Sequence, residues 1–325
     1  MDSFEGKLAV VTGGGSGMGR ELVRQLAAQG CSVAACDLNA DSVAAAVANA
    51  RTDAPPGTRV TAHICDVSDE AQVLRFRDEL LDLHTSDHVD LVFSNAGIGG
   101  AGSFVRDGRQ EWERTFAIDW WGVYHCARTF LPLLIASGDG VLVNTSSVNG
   151  FWATLGPGLP HTAYSTAKFA VKGFTEALIE DLRTNAPQVR VAVVMPGHVS
   201  TDIVANSMRA LGLLPVGEQL TDDQQRMLAE LIRRGALPEG ASAGELRQLL
   251  EKMNSDFRNS APLDAAGAAT IILDGVRSGA WRILVGQDAE NLDGLVRAKP
   301  EAAYDYALLA SMAPNVPRPG GLTGR

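Results

Sequence analysis

Short apolar runs alternate with helical patterns from residue 8 to residue 196, and that alternation leaves few folds open to the chain. The first run is Leu8-Ala-Val-Val-Thr12. It ends in Gly13-Gly-Gly-Ser16-Gly17-Met18-Gly19, and Leu22, Val23, Leu26 and Ala27 follow at helical spacing. Strand, glycine-rich turn and helix are the opening of a βαβ dinucleotide-binding unit. The glycines allow a tight turn and a close backbone approach to a pyrophosphate. The helix N-terminus offers unpaired N–H groups and a partial positive charge to the phosphates. Further runs cover 31–36, 59–64, 89–93, 141–145, 189–194 and 282–285, with helical patterns at 41–51, 70–83, 111–135, from Tyr164 onward, and at 265–277. The expected class is α/β: a Rossmann-type, doubly wound parallel sheet of about seven strands, covered on both faces. In such sheets ligands sit beyond the carboxyl ends of the strands, at the topological switch point. Asp37, Asp66, Asn95, Ser147 and Pro196 all fall at that edge.

The totals exclude some function classes. The 325 residues carry a net charge of −10, which argues against nucleic acid or an anionic membrane surface as a partner. No apolar run approaches the length of a membrane span. The opening Met-Asp-Ser-Phe-Glu-Gly-Lys lacks the basic and apolar regions of a signal peptide. The four cysteines (Cys31, Cys36, Cys65, Cys126) show no metal-ligand spacing, and three fall in apolar strand-like contexts. A reduced, cytoplasmic protein without a bound metal is expected.

Particular residues suggest the chemistry. Asp37 ends the second strand, near the distance from the glycine turn at which an acidic residue meets the adenosine ribose hydroxyls. It would repel a 2′-phosphate, and no Arg or Lys stands at Ser16, Leu38 or Asn39 to welcome one. NAD is therefore expected over NADP; the plainer alternative is that Asp37 only starts a turn. Tyr164 and Lys168 stand four apart on a helix and so share a face. A free phenol has a pKa near ~10, and a neighbouring ammonium favours the phenolate. The pair makes a general acid/base. His161 and His198 could touch substrate or be satisfied elsewhere. Phe151 and Trp152 could wall the substrate site or form an interface.

Taken in order, Thr12-Gly13-x-x-x-Gly17-x-Gly19, Asp66, Asn95-Ala96-Gly97, Ser147, Tyr164-x-x-x-Lys168 and Pro196-Gly197-x-x-x-Thr201 resemble the motif set of the short-chain dehydrogenase/reductase family. The likeness covers residues 6–201 and resumes at 264–286, and the glycine spacing resembles the family's single-domain branch. The resemblance implies that Gly13, Ser16, Gly17, Met18 and Gly19 line the pyrophosphate and ribose, and that Asp66 and Val67 hold the adenine. It implies that Asn95, Ala96 and Gly97 flank the ribose and that Pro196, Gly197, Val199 and Thr201 complete the coenzyme site. Tyr164 would be the acid/base. Lys168 would hold the nicotinamide ribose and lower the tyrosine pKa, and Ser147 would hydrogen-bond the substrate oxygen. A homodimer or homotetramer is also implied.

Two departures stand out. The family usually has Asn where this chain has Asp119, on the long helix before Trp120-Trp121-Gly122. The segment between Ser147 and Tyr164 is a few residues longer than in most members, which predicts a loop over 151–160 beside the substrate. Residues 203–262 form an insertion at the family's lid position, with amphipathic patterns at Met227–Ile232 and Leu246–Met253 that fit two short helices. Its length suggests a bulky apolar substrate, although these helices could instead pack on the body or on a partner subunit. A C-terminal extension covers 287–325, helical over 290–312 and then a loose tail or an arm on a neighbour. One domain, 1–325, is expected. Its expected activity is NAD-dependent hydride transfer between a secondary alcohol and a ketone, with Ser147, Tyr164, Lys168 and Asp119 at the reacting end. Enone reduction, epimerisation or dinucleotide sensing without turnover are the alternatives.

Overall fold

Among the described residues seven parallel strands form one sheet, in the order β3-β2-β1-β4-β5-β6-β9. The computed structural model describes residues 1–305 apart from Asp2 and Ala101. In chain order β1 is Leu8–Thr12, β2 Ser32–Asp37, β3 Val60–Ile64, β4 Leu91–Ser94, β5 Gly140–Thr145 and β6 Val189–Pro196. Val199–Ser200 (β7) and Leu263–Asp264 (β8) pair in a small separate ladder, and Arg282–Val285 (β9) closes the main sheet. The order reverses between β1 and β4, which pair through Ala9–Leu91, Val10–Val92 and Val11–Phe93. A crevice therefore opens at the carboxyl ends of these two strands.

Alternation along each strand sends side chains to opposite faces, and both faces are apolar. Ala9 and Val11 pack beneath Leu22, Val23 and Leu26 of α1 (Gly17–Ala28), Val43 and Val47 of α2 (Ala40–Asp53), and Ile272 and Leu273 of α10. Leu8 and Val10 pack beneath Val73, Phe76 and Leu80 of α3 (Glu70–His84) and Phe130 and Leu134 of α5. The helix starts follow local chemistry. Asn39 caps α2 by accepting the Ser42 N–H, and Asp69 caps α3 by accepting the Ala71 N–H, each such cap contributing ~1 kcal/mol.

The expected long helix at 111–135 is interrupted. Arg109–Phe116 (α4) runs into a π-helical turn, Ala117–Trp121, before α5 (Gly122–Ala136) resumes. Such turns insert one residue into the helical ladder and often mark functional positions; this one contains Asp119. The helix α6 (Thr162–Asn185) carries Tyr164 and Lys168. The 203–262 insertion holds three helices, not two: α7 (Ile203–Ala210), α8 (Asp222–Arg233) and α9 (Ala243–Ser260). Capping boxes, Thr221 with Gln224 and Ser242 with Glu245, start α8 and α9. Helix α10 (Ala265–Arg277) matches its expected span. The helix expected at 290–312 ends earlier within the described residues, and 306–312 lie outside them. Helix α11 spans Gln287–Ala298, because the residue before a proline is driven out of helical backbone, and Lys299 before Pro300 takes φ −145° and ψ 76°. The expected tail, 314–325, lies outside the described residues. Among the described residues no helix is long and apolar enough to cross a membrane.

Candidate functional site

The crevice between β1 and β4 is laced by Thr12. Its buried hydroxyl accepts the N–H groups of Asn95 and Ala96, both at 3.0 Å, and Asn95 Nδ2 donates back to Thr12 O at 3.1 Å. This pulls the loop after β4 against the glycine turn. The approach is so close that a Cβ on Gly13 would lie 2.9 Å from Ala96 Cα, and one on Gly19 would lie 2.1 Å from Gly13 O. Gly13 also has φ +64°, a left-handed conformation that costs side-chain-bearing residues energy. Gly17 packs on Thr201, whose Cγ2 would be 3.1 Å from an added Cβ, and Met18 packs partly buried against the core. Ser16, at the N-cap of α1, makes no capping hydrogen bond, and the first turn holds no acidic residue. The first-turn N–H groups are thus left to an anion. A bare glycine turn, uncapped N–H groups and a nearby acid fit the pyrophosphate and ribose of a dinucleotide.

That acid is Asp37. Its carboxylate accepts the Gly15 and Asn39 N–H groups, each at 3.0 Å, so it both shapes the glycine turn and starts the next one. Asp66, further along the same edge, accepts from Ser68 and pairs with Arg114 of α4 at 2.9 Å. Burial opposes its ionisation, but the Ser68 and Arg114 contacts hold its carboxyl below the usual range. Val67 lies beside the π turn: its carbonyl accepts from His125 Nδ1, and its side chain leaves room only for glycine at 122.

Four side chains converge at the other end of the crevice. Ser147, Tyr164, Lys168 and Asp119 are each at least nine-tenths buried. Helix α6 presents Tyr164 in its first turn and Lys168 one turn on, with Lys168 Nζ 5.4 Å from the phenol ring centre. Ser147 stands just beyond β5, and its hydroxyl favours the ionised phenol of Tyr164. Lys168 donates to Thr145 O at 3.2 Å and stands 3.8 Å from Asp119 Oδ1. Asp119 Oδ1 also accepts the Ile98 N–H at 2.9 Å, while Oδ2 is buried without a partner among the described residues. Gly97 is wedged into this group. A Cβ there would lie 2.8 Å from Asp119 Oδ1 and 3.2 Å from Lys168 Nζ.

The electrostatics correct a simple expectation. Lys168 does favour the Tyr164 phenolate, as its spacing suggested. Burial of the phenol acts more strongly in the opposite sense and Asp119 adds to it, so the Tyr164 pKa lies above the ordinary value despite Lys168 and Ser147. Burial likewise pushes Asp119 up to about 6 against the pull of Lys168. His161 stacks on the Tyr164 ring, with centres 4.5 Å apart and planes 20° apart, and its Nε2 meets the Gly99 carbonyl. A carbonyl only accepts, so Nε2 carries the proton. Burial keeps the ring neutral by lowering its pKa. His198 is engaged elsewhere: its ring packs on Phe257 of α9, and Nε2 donates to the Phe257 carbonyl at 2.7 Å.

Comparison with known proteins places the chain. Residues 7–211 match the family model of the short-chain dehydrogenases. The chain belongs to the short-chain dehydrogenase/reductase family. It is 34% identical to SadH of Mycobacterium tuberculosis, named as an oxidoreductase, across 96% of this chain and 98% of that one. It is 29% identical to the meso-2,3-butanediol dehydrogenase of Serratia marcescens across 82% and 96% of the two chains. A short-chain dehydrogenase/reductase from Burkholderia phymatum, solved in complex with NAD, superposes with a TM-score of 0.72 at 28% identity, over 98% of this chain and 99% of that one. The parallel sheet and its order agree with that family.

Within this short-chain dehydrogenase, α7 bridges the crevice. Asn206 Nδ2 donates to Ser16 Oγ at 3.2 Å, and Ser207 Oγ accepts the Gly99 N–H at 2.6 Å. Helix α9 carries α7: Asn254 accepts the Ala205 N–H and donates to Asp202, which also pairs with Arg258. Pro196 ends β6, Val199 lies in β7, and the segment holding Gly197 and Thr201 leads into α7. Gly197 is held against Asp288, whose Oδ2 would lie 2.2 Å from an added Cβ and accepts the His198 N–H at 2.7 Å. Besides Pro196, Gly197, Val199 and Thr201, the expected residues fall into two groups. Gly13 to Gly19, Asp37, Asp66, Val67 and Asn95 to Gly97 edge the crevice, and Ser147, Tyr164, Lys168 and Asp119 meet at its end. Sequence reasoning missed Arg114, Asn206, Ser207 and Gly99. No spacing rule points to them, because each acts on a segment distant in sequence.

Proposed function

We propose that this chain transfers hydride between NAD(H) and a secondary alcohol or ketone, with Tyr164 as the general acid/base. The observation that carries the reading is the convergence of Ser147, Lys168 and Asp119 on one buried phenol. Bound NAD supplies the hydride acceptor for alcohol oxidation. Ser147 orients the alcohol oxygen by hydrogen bonding, and the Tyr164 phenolate takes its proton. Lys168, anchored on Thr145 O, keeps an ammonium beside the phenol and so favours the phenolate. Gly97, with no side chain, lets Lys168 and Asp119 lie against the loop after β4. The proposed coenzyme is NAD rather than NADP because Asp37 stands at the end of β2 and no Arg or Lys occupies position 16, 38 or 39. Asp66 and Val67 are proposed to border the adenine, and Asn95 to Gly97 the ribose. The length of 203–262, with α7 laid across the crevice as a lid, supports a bulky apolar substrate. All four cysteines are free and buried, which supports a reduced, cytoplasmic setting. The exposed aromatic rings of Trp121 and Phe169, on the α5/α6 side, support association of copies of the chain. A screen of secondary alcohols and ketones, from butanediol to steroid-sized, tests the activity through the absorbance of reduced nicotinamide. No turnover of any member would sink the reading.

Asp119 should set the working pH. It is an anion above pH about 6, and its charge is one of the influences that raise the Tyr164 pKa. Asp119→Asn keeps the shape and removes the charge. Tyr164 should then lose its proton more easily, and the alkaline-favoured limb of the oxidation profile should move to lower pH by ~1 unit, a modest shift for a nearby charge. A pH–rate series on both proteins checks this. A limb that stays put or moves upward would remove Asp119 from the proton chemistry.

A further inference from the structure

Two of the three segments in which this chain exceeds the common family length, the loop over 151–160 and the segment after β9, meet in space. Trp152 Nε1 donates to the Ala303 carbonyl at 2.7 Å, and the Ala153 N–H donates to the Tyr304 hydroxyl at 3.1 Å. Ala303 is buried, so the turn at Pro300–Ala302 sits down on the body of the protein. This segment is itself anchored. Asp293 on α11 is buried and binds Arg282 of β9 through both guanidinium nitrogens, and Arg297 of its own helix as well. The Arg282 guanidinium lies 5.9 Å from the centre of the Phe151 ring. One side of the loop is thus fastened to β9, α11 and the turn that follows.

The other side is fastened to the reacting end. Asn149 is buried, and its Nδ2 donates to the carbonyls of Trp152 at 2.8 Å and Thr154 at 2.7 Å. Its own N–H donates to Ser147 Oγ at 3.1 Å. The loop's far end, Pro160, presses its carbonyl against Gly102, where a Cβ would lie 2.8 Å away, and the next turn holds Gly102 O through the Thr162 N–H. The path from Ser147 to Tyr164 is therefore a loop gripped from inside by Asn149 and from outside by residues 303 and 304.

We infer that residues 299–304 act as a strap that fixes the 151–160 loop against the Ser147–Tyr164 pair, so that Trp152 and Tyr304 are positioning residues that set which substrates fit. The inference rests on the alcohol dehydrogenase reading only for its kinetic consequence. Both contacts are single neutral hydrogen bonds between groups far apart in sequence. They hold the loop's shape without touching the acid/base, so their loss should loosen substrate fit and leave the chemical step alone.

The test uses Tyr304→Phe, Trp152→Phe and the double variant, which remove the hydroxyl and the indole N–H and leave an aromatic ring at each position. Glu301→Ala, on the exposed side of the strap, is the control. Hydrogen exchange of residues 151–160 requires no substrate. It should be faster in the double variant and unchanged in the control, while calorimetric NAD affinity stays the same. With the best alcohol from the screen, KM should rise ~3–10-fold, the effect of losing one or two such hydrogen bonds, at unchanged kcat. Unchanged exchange in 151–160 would overturn the strap whether or not the enzyme has a known substrate. Faster exchange with an unchanged KM, or a fall in kcat without a change in KM, would overturn its role in substrate fit. Absence of turnover in the wild type would count against the proposed activity alone, and the exchange arm would still decide the strap.

Discussion

Replacing Tyr164 with phenylalanine is expected to lower kcat by ~10²–10⁴-fold, the usual worth of a positioned general acid/base, with NAD binding nearly unchanged. The ring should keep its place. It stacks on His161 and lies in the first turn of a long helix whose packing does not depend on the hydroxyl. What is lost, on the proposed mechanism, is the hydroxyl that takes the alcohol proton beside Ser147 and Lys168. His161 cannot substitute, because its Nε2 is committed to Gly99 and burial disfavours a second proton. Steady-state rates with calorimetric NAD titration separate the two quantities. A variant that keeps near-normal turnover would remove Tyr164 from the mechanism.

Coenzyme choice should depend on Asp37 by a comparable factor. A 2′-phosphate placed beside this carboxylate creates a like-charge contact, which costs several kcal/mol, and each ~1.4 kcal/mol is tenfold. The expected preference for NAD in kcat/KM is therefore ~10²-fold or more. The carboxylate has a second task, because it accepts the Gly15 and Asn39 N–H groups. Asp37→Ala would remove the charge and also loosen the glycine turn. Asp37→Asn keeps an acceptor and the shape, so it isolates the charge. It should improve NADP use markedly and weaken NAD use little. A wild-type preference for NADP would refute the role given to Asp37.

Much of this was legible locally. The apolar runs gave the strands because each buried strand is short and bounded by turn residues. Tyr164 and Lys168 were legible because four-residue spacing on a helix dictates a shared face. The three-dimensional terms were not. The sign of the Tyr164 shift depends on burial, which no spacing reports, and burial outweighs Lys168. The π turn at Ala117–Trp121 adds one residue to a helical turn and barely disturbs the apolar pattern, so the segment looked like one helix. That turn carries Asp119, whose side chain lies 3.8 Å from Lys168 Nζ. Helix α7 has eight residues, too short a window for periodicity. The grip of Ala303 and Tyr304 on Trp152 and Ala153 joins residues 151 apart in sequence and has no local signature.

The central claim is hydride transfer from a carbinol carbon to NAD, assisted by Tyr164. Its most direct test uses a secondary alcohol from the screen, carrying deuterium at the carbinol carbon, with NAD and the full-length protein. Mass spectrometry of the reduced coenzyme should find the deuterium there, with the ketone unlabelled, and Tyr164→Phe should slow its arrival. Reduced coenzyme without the label, or label lost to solvent with no reduced coenzyme formed, would contradict the account.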